Sequence, residues 1–153
     1  MASDRKPVKI YPPVYFVFAF LLMVGLDFGL PIRDVIPTAP RRLGIAIVLA
    51  GVALNIWAAG LFTRAGTNIK PLEPSSALVV QGPFRWSRNP MYLGMAISLL
   101  GLGVLLGSLT PFAVVPAFML WIQHRFIRRE EAMLETTFGA AYAEYRSKVR
   151  RWL

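Results

Sequence analysis

Long apolar runs separated by short polar ones dominate the chain. Four apolar segments stand out, at about 14–30, 43–62, 91–107 and 111–127. The first three approach or meet the roughly 20 residues that a helix needs to cross a bilayer core. The fourth is apolar only to about Ile122, but the same helix can carry Gln123, His124 and the charges beyond them out of the membrane. This pattern predicts an all-α, polytopic membrane protein of about four transmembrane helices. Residues 1–153 form a single membrane-embedded domain, with the third and fourth spans paired as a C-terminal helical hairpin.

The punctuation fits that frame. Pro12-Pro13 precedes the first span, and Tyr11 and Tyr15 stand at interface depth. Asp27, near its far end, reads as an interfacial or solvated carboxylate. The second span is uncharged and carries Ala46, Ala50 and Gly51. The third carries Gly94/Ser98 and Gly103/Gly107 at four-residue spacing. Both are small-residue faces of the kind that let membrane helices approach closely. Ser108-Leu109-Thr110-Pro111 reads as a tight turn with Thr110 as N-cap and Pro111 at the first helical position. A charged helix continues from Arg125 to Glu135, and Phe138-Gly139 is a helix stop. The terminal segment, with Tyr142, Tyr145, Val149 and Trp152 among basic residues, predicts a cytoplasmic amphipathic helix.

Charge sets the orientation. The chain carries 17 Lys+Arg against 8 Asp+Glu, a net charge of +9. In a soluble protein this would suggest nucleic acid, but on an apolar chain it matches the positive-inside bias and attraction to anionic lipid. The basic residues of the N-terminal tail (Arg5, Lys6, Lys9), the 63–90 loop and the C-terminal segment far outnumber those of the first loop, and the 108–110 turn has none. Both termini and the long loop are therefore expected on the cytoplasmic face. The run from Val14 is long enough to remain as an anchor, with no small-residue cleavage site after it.

With no cysteine and one histidine, thiolate metal sites and Cys nucleophiles are excluded and a zinc site is disfavoured. No Gly-x-Gly-x-x-Gly, Walker lysine loop, Gly-x-Ser-x-Gly or His-Glu-x-x-His occurs, which removes the usual soluble nucleotide folds and hydrolases. Attention falls on Gly82–Gly94, where two prolines, two arginines and three aromatics lie between a polar loop and an apolar span. The preceding 63–82 stretch is long for a loop but carries Leu78, Val79 and Val80, which argues against disorder. Glu130-Glu131 reads on its own as a solvated charge run paired with Arg125, Arg128 or Arg129. Tyr142, Tyr145 and Trp152 read as interfacial packing.

In order along the chain stand Arg88-Asn89-Pro90-Met91-Tyr92-Leu93-Gly94, an apolar hairpin, Glu130-Glu131 and Phe138-Gly139-x-x-Tyr142-x-x-Tyr145. This set resembles the isoprenylcysteine carboxyl methyltransferase family and the related phospholipid (phosphatidylethanolamine) N-methyltransferases, over about residues 63–152. The resemblance implies an integral membrane enzyme that methylates a lipophilic substrate from S-adenosyl-L-methionine. It implies backbone contacts to the adenosine from Leu78 and Val79, and packing of Phe84 on the nucleoside. Asn89, Pro90, Met91 and Tyr92 line the cofactor, Glu130 holds its polar end, and Glu131 matches the second acid of the phospholipid branch.

The residue types suit that cofactor. A carboxylate binds an ammonium or ribose hydroxyls, Arg88 or Arg85 can take a carboxylate bidentately, and Tyr92, Phe84 or Trp86 can stack on adenine or attract a sulfonium. The carboxyl-methylating branch has His where this chain has Asn89. That branch also places a substrate-binding arginine four residues before the first acid, where this chain has Phe126, with Arg125 adjacent. Asn89 and Arg125 are thus the candidate catalytic residues, and the departures point toward the phospholipid branch. No metal and no nucleic-acid partner are expected. The rival from another class is a non-catalytic membrane adaptor whose basic C-terminal helix binds lipid or a partner protein. A small transporter is disfavoured, since the spans lack mid-membrane charges and inverted-repeat symmetry.

Overall fold

The computed structural model describes residues 10–153; the basic tail with Arg5, Lys6 and Lys9, used above for orientation, lies outside the described residues. The described chain is helical with no strand, apart from one isolated antiparallel bridge between Asp34 and Ser108. The helices are α1 (Pro12–Gly29), α2 (Thr38–Arg41), α3 (Leu43–Arg64), α4 (Pro90–Leu106), α5 (Val114–Ile122), α6 (Arg128–Phe138) and α7 (Ala140–Lys148). Two stretches, Pro12–Gly29 and Thr38–Arg64, are long and apolar enough to cross a membrane. The apolar α4, of 17 residues, is about 26 Å long at 1.5 Å per residue. Where a fourth span was expected, a 3₁₀ turn (Thr110–Ala113), α5, a π-helical turn (Gln123–Ile127) and α6 follow one another without a break.

α4 is the central helix. It buries residues all round, including Tyr92, Ala96, Ser98, Leu99 and Leu102, and an all-apolar helix belongs in such a position. Its partners bury only narrow stripes: Ala19 and Met23 on α1, and Gly44, Gly51 and Ala58 on α3. Their outward faces carry Phe18, Phe28, Leu49 and Ile56, all exposed, as befits helices with lipid rather than water around them. A second layer of packing joins α1 to α5 through Met23, Phe118 and Ile122, with Tyr15 edge-on to Phe126 at 5.8 Å.

The α3–α4 contact is the tightest. A Cβ at Gly51 would lie 2.5 Å from the Gly94 carbonyl, and one at Gly44 would lie 2.5 Å from the Gly101 carbonyl. The backbones are thus in near contact, with Ser98 Oγ–H donating to Gly94 O (2.9 Å) and Asn55 Nδ2–H to Gly51 O (3.0 Å). Gly51 and Gly94/Ser98 do face each other, but Ala46 and Ala50 are exposed. The interface repeats every seven residues at 44, 51 and 58, a period that keeps one seam on one partner, so residues four and five before Gly51 turn outward. Gly103 packs on Phe112, and Gly107 ends α4 in the left-handed region (φ +85°) against the Arg41 guanidinium.

At the end of the bundle formed by residues 30–37 and 107–113, Arg41 pairs with Asp34 (2.8 Å), and the Val35 and Ile36 amides donate to Gly107 O. Asp27 is half-buried and accepts the Ser108 hydroxyl at 2.5 Å, so it is a structural acceptor rather than a solvated acid. Thr110 is not an N-cap: its hydroxyl donates to Leu30 O and accepts from the Ile32 amide, tying the two loops together. The C-terminal helix is shorter than expected. It stops at Lys148, and Val149–Trp152 turn back toward the loop at 86–89. Gly139, at φ +50°, separates α6 from α7.

The close α3–α4 approach gives a test. Gly51→Ala is expected to cost about 1–3 kcal/mol, the usual price of overpacking, and to lower the melting temperature in detergent. Gly60→Ala, which meets nothing within 4 Å, is expected to leave it unchanged or raised.

Candidate functional site

The opposite end of the bundle is organised by charge. Arg88, in the turn before α4, donates through Nη2 to Glu131 Oε1 at 2.8 Å. Its Nη1 donates to the carbonyls of Arg146 (3.1 Å) and Val149 (2.9 Å). Arg151 grips the same carboxylate from its other side, Nη2 to Oε2 at 2.6 Å and Nε to Oε1 at 3.1 Å. The Arg88 and Glu131 side chains are only 9% and 10% exposed. Around this cluster the Asn89 amide and the Ser87 hydroxyl both donate to Arg151 O (3.0 and 3.3 Å), and the Arg88 amide donates to Arg150 O (2.9 Å). Tyr145 donates to Phe84 O at 2.7 Å, and Trp152 Nε1–H to Gln123 Oε1 at 2.9 Å. The Gly82–Gly94 segment, the first turn of α6 and the C-terminal tail are therefore one unit.

That unit walls two adjoining chambers. The larger, about 170 Å³, lies between Pro12-Pro13 of α1, loop residues 68–73, Pro90–Tyr92 and Met95 of α4, and Glu130 and Met133 of α6. The smaller, about 90 Å³, is bounded by Leu78, Val79, Glu131, Leu134, Tyr142 and Tyr145. Phe84, Arg88, Asn89 and Glu130 border both. The loop that closes the larger chamber is built rather than loose: the Thr67 hydroxyl bonds Ser75 Oγ and accepts the Ser76 amide, while Asn68 and Lys70 both engage Glu73. Leu72 takes a left-handed backbone (φ +63°) and packs against the hydrophobic core, the kind of local strain that functional loops hold.

The expected site residues Leu78, Val79, Phe84, Arg88, Asn89, Pro90, Met91, Tyr92, Glu130 and Glu131 all border these chambers. Arg125 does not. It is half-buried on the π turn and lines neither chamber. Arg85 and Trp86 are exposed, and Trp86 packs edge-on to Trp57 at 5.9 Å instead. The π turn explains Arg125: an extra residue in the helix breaks the four-residue register on which a position before Glu130 would be counted. It also buries Phe126 and Ile127 in the core. Glu131 is not paired with Arg125, Arg128 or Arg129 but with Arg88 and Arg151. Leu134 and Tyr142 were not expected as site residues. Leu134 sits one turn after Glu130 on the same face, a spacing the sequence displays, whereas Tyr142 offered no signal beyond its place in an aromatic stripe.

The two acids have opposite environments. Burial pushes the Glu131 carboxyl up, but the bonds to Arg151 and Arg88 outweigh it and hold the group below its ordinary range. Glu130 has a single polar partner, the Tyr92 hydroxyl, which donates at 2.7 Å. Burial raises Glu130 to about 7; the Tyr92 bond opposes this, and the neighbouring Glu131 charge adds to it. Tyr142 is pushed up to about 12, by burial first and then by Glu131. One carboxylate is thus locked as an ion, and the other is poised to ionise when a cation arrives.

Residues 40–141 match the family model described as phospholipid methyltransferase. An uncharacterized protein of Haemophilus influenzae is 43% identical over 63 residues, covering 41% of this chain and all of that protein. The protein-S-isoprenylcysteine O-methyltransferase of Saccharomyces cerevisiae is 41% identical over 80 residues, half of this chain and 32% of that one. Among solved structures, that of the eukaryotic intramembrane Ras methyltransferase, isoprenylcysteine carboxyl methyltransferase, aligns with a TM-score of 0.69 at 23% identity. The alignment covers 92% of this chain and 51% of that one, and at this identity it speaks to the fold. The chain thus spans about a third of the Saccharomyces relative and half of the solved structure.

The buried ion cluster sets a stability expectation. Glu131→Gln leaves Arg88 buried without its counter-charge and is expected to cost about 3–5 kcal/mol at pH 7. Because the folded-state carboxyl titrates below its ordinary 4.5, the stabilisation is present above that value and lost as pH falls through the lower folded-state value. Melting curves of the two proteins should therefore converge at acid pH.

Proposed function

The chain belongs to the phospholipid methyltransferase family, and from that premise we propose that it transfers the methyl group of S-adenosyl-L-methionine to a lipophilic acceptor at the cytoplasmic face of a membrane. The observation that carries the reading is Glu130. It is a carboxylate bordering both chambers, bonded only to Tyr92, with no cation within salt-bridge distance among the described residues. A site waiting for a positively charged ligand has this form. The cofactor supplies an activated methyl on a sulfonium, together with an ammonium, a carboxylate and a nucleoside.

The residues at hand fit that ligand. Glu130 binds and orients the cationic end, while Phe84 and Tyr92 present aromatic surface to the nucleoside and the sulfonium. Leu78 and Val79 offer backbone groups, and Asn89, Pro90 and Met91 form the wall between the chambers. Arg88 cannot act as a bidentate fork, because both terminal nitrogens are engaged; only its Nε–H is free. Methyl transfer is an in-line displacement, so the chain's task is alignment and exclusion of water rather than proton transfer. The larger chamber, bounded by Pro12, Pro13, Met91 and Met95 at the start of α1 and α4, suits an acceptor arriving laterally from the bilayer. Four crossings, made by α1, α3, α4 and the continuous α5–α6 run, would put the chambers and both termini on the cytoplasmic side, where the basic residues concentrate.

A second reading concerns the acceptor. Arg125 lines neither chamber, Arg88 is neutralised by Glu131, and Asn89 stands where carboxyl-methylating relatives have His. With no free guanidinium for a carboxylate, an amine-bearing lipid is favoured over a prenylcysteine carboxylate. A methyl-transfer screen over phosphatidylethanolamine, prenylcysteine, quinone precursors and thiols tests this; methylation of prenylcysteine alone overturns it.

The cofactor reading is tested by calorimetry with detergent-purified protein. Since the cation binds ionised Glu130, affinity for S-adenosyl-L-methionine is expected to rise by up to about tenfold per pH unit below pH 7, with proton release, and to level off above it. Glu130→Gln should weaken binding by about 1–3 kcal/mol and abolish the pH dependence. The same variant should melt higher than the parent at pH 8, because a raised carboxyl destabilises the folded state as it ionises. Absence of binding at millimolar ligand would leave the adaptor as the better account.

A further inference from the structure

Two buried polar atoms bordering the smaller chamber have no hydrogen-bond partner: Arg88 Nε and the Tyr142 hydroxyl. The Arg88 side chain is 9% exposed and Tyr142 is 1% exposed, so solvent does not satisfy them. An orphaned buried donor costs on the order of 1–3 kcal/mol, and folded proteins keep few of them. We propose that the Tyr142 hydroxyl and Arg88 Nε–H are a ligand-binding pair that takes the nucleoside end of the cofactor in the smaller chamber. This assigns Tyr142 a binding role beyond interfacial packing, and it rests on the cofactor reading above.

Three features select the nucleoside rather than the amino-acid end. The chamber walls are apolar and aromatic, with Phe62 edge-on to Phe84 at 5.4 Å, a surface suited to a planar heteroaromatic ring. The chamber offers a donor without free positive charge, because Glu131 already neutralises Arg88 at 2.8 Å. That favours neutral acceptors such as ring nitrogens or ribose oxygens over a carboxylate. Finally, the methyl must reach a lipophilic acceptor, and the membrane-side residues Pro12, Pro13 and Met95 border only the larger chamber. The reacting end therefore belongs there, next to Tyr92 and Glu130, and the nucleoside falls to the inner chamber. A phenol both donates and accepts, and Nε–H donates; together they match the mixed polarity of a purine or its ribose.

Tyr142→Phe tests this, since it removes one oxygen that bonds nothing in the folded chain. Binding of S-adenosylhomocysteine and of 5′-methylthioadenosine, which lacks the amino-acid end, is measured by calorimetry beside thermal unfolding. Expected is about a 3- to 10-fold loss of affinity for both ligands, one hydrogen bond's worth, with an unchanged or higher melting temperature. Equal affinity of variant and parent for S-adenosylhomocysteine overturns the proposal and means a water occupies the pair. A loss for S-adenosylhomocysteine without a loss for 5′-methylthioadenosine also overturns it and places the amino-acid end there. If the parent binds neither ligand, the cofactor reading itself fails, and this assignment with it.

Discussion

The loop end of this molecule depends on one ionic arrangement, a carboxylate held between two guanidinium groups. Glu131 accepts from Arg88 and Arg151 at 2.6–3.1 Å, and Arg88 passes the constraint on to the Arg146 and Val149 carbonyls. Taking such charges out of water costs several kcal/mol per ion, recovered only if nearly every donor and acceptor is matched. That demand for geometry makes the cluster a positioning device. It fixes the start of α4, the first turn of α6 and the C-terminal tail relative to one another, and the two chambers are the space left between them.

The second constraint is the glycine seam between α3 and α4. With no hydrophobic drive between helices in lipid, close backbone approach supplies the association, and Gly44, Gly51, Gly94 and Gly101 permit it. The seam sets the depth and rotation of α4, and through it the placement of Asn89–Tyr92. Tyr92 then meets Glu130, 38 residues on in sequence, because the α5–α6 run returns beside α4 with a π turn that re-phases its charged end. The contrast between the two acids follows. Glu131 has its cations and stays ionised, while Glu130 has a phenol for company and remains open to a cationic ligand.

Much of this was legible along the chain, and what was missed has physical causes. Apolar runs, the prolines before α1 and α4, and Gly139 mark element boundaries through solvation and backbone preference, both local properties. The Gly82–Gly94 segment and Glu130-Glu131 stood out because their composition is costly at a membrane surface unless something uses it. Ala46 and Ala50 were misplaced because residue size does not reveal which helical face meets a partner. Thr110 was misread because its bonds run to Leu30 and Ile32, some 80 positions away. Arg125 was misplaced because a π turn cannot be read from sequence spacing.

The sequence by itself determined that this is a helical membrane protein, where its helices begin and end, and that its unusual polar chemistry gathers at one end. Tertiary structure decided which charges are neutralised and which are left open. Arg88 and Arg85 look equivalent on the page, as do Glu130 and Glu131, and Tyr142 looks like any interfacial aromatic. Only the fold makes Arg88 buried and Arg85 exposed, gives Glu131 two guanidinium partners and Glu130 none, and leaves the Tyr142 hydroxyl enclosed without a partner. The reason is that solvation and backbone preference are carried by each residue and its neighbours, whereas the state of a charge or hydroxyl depends on desolvation and on partners tens of residues away.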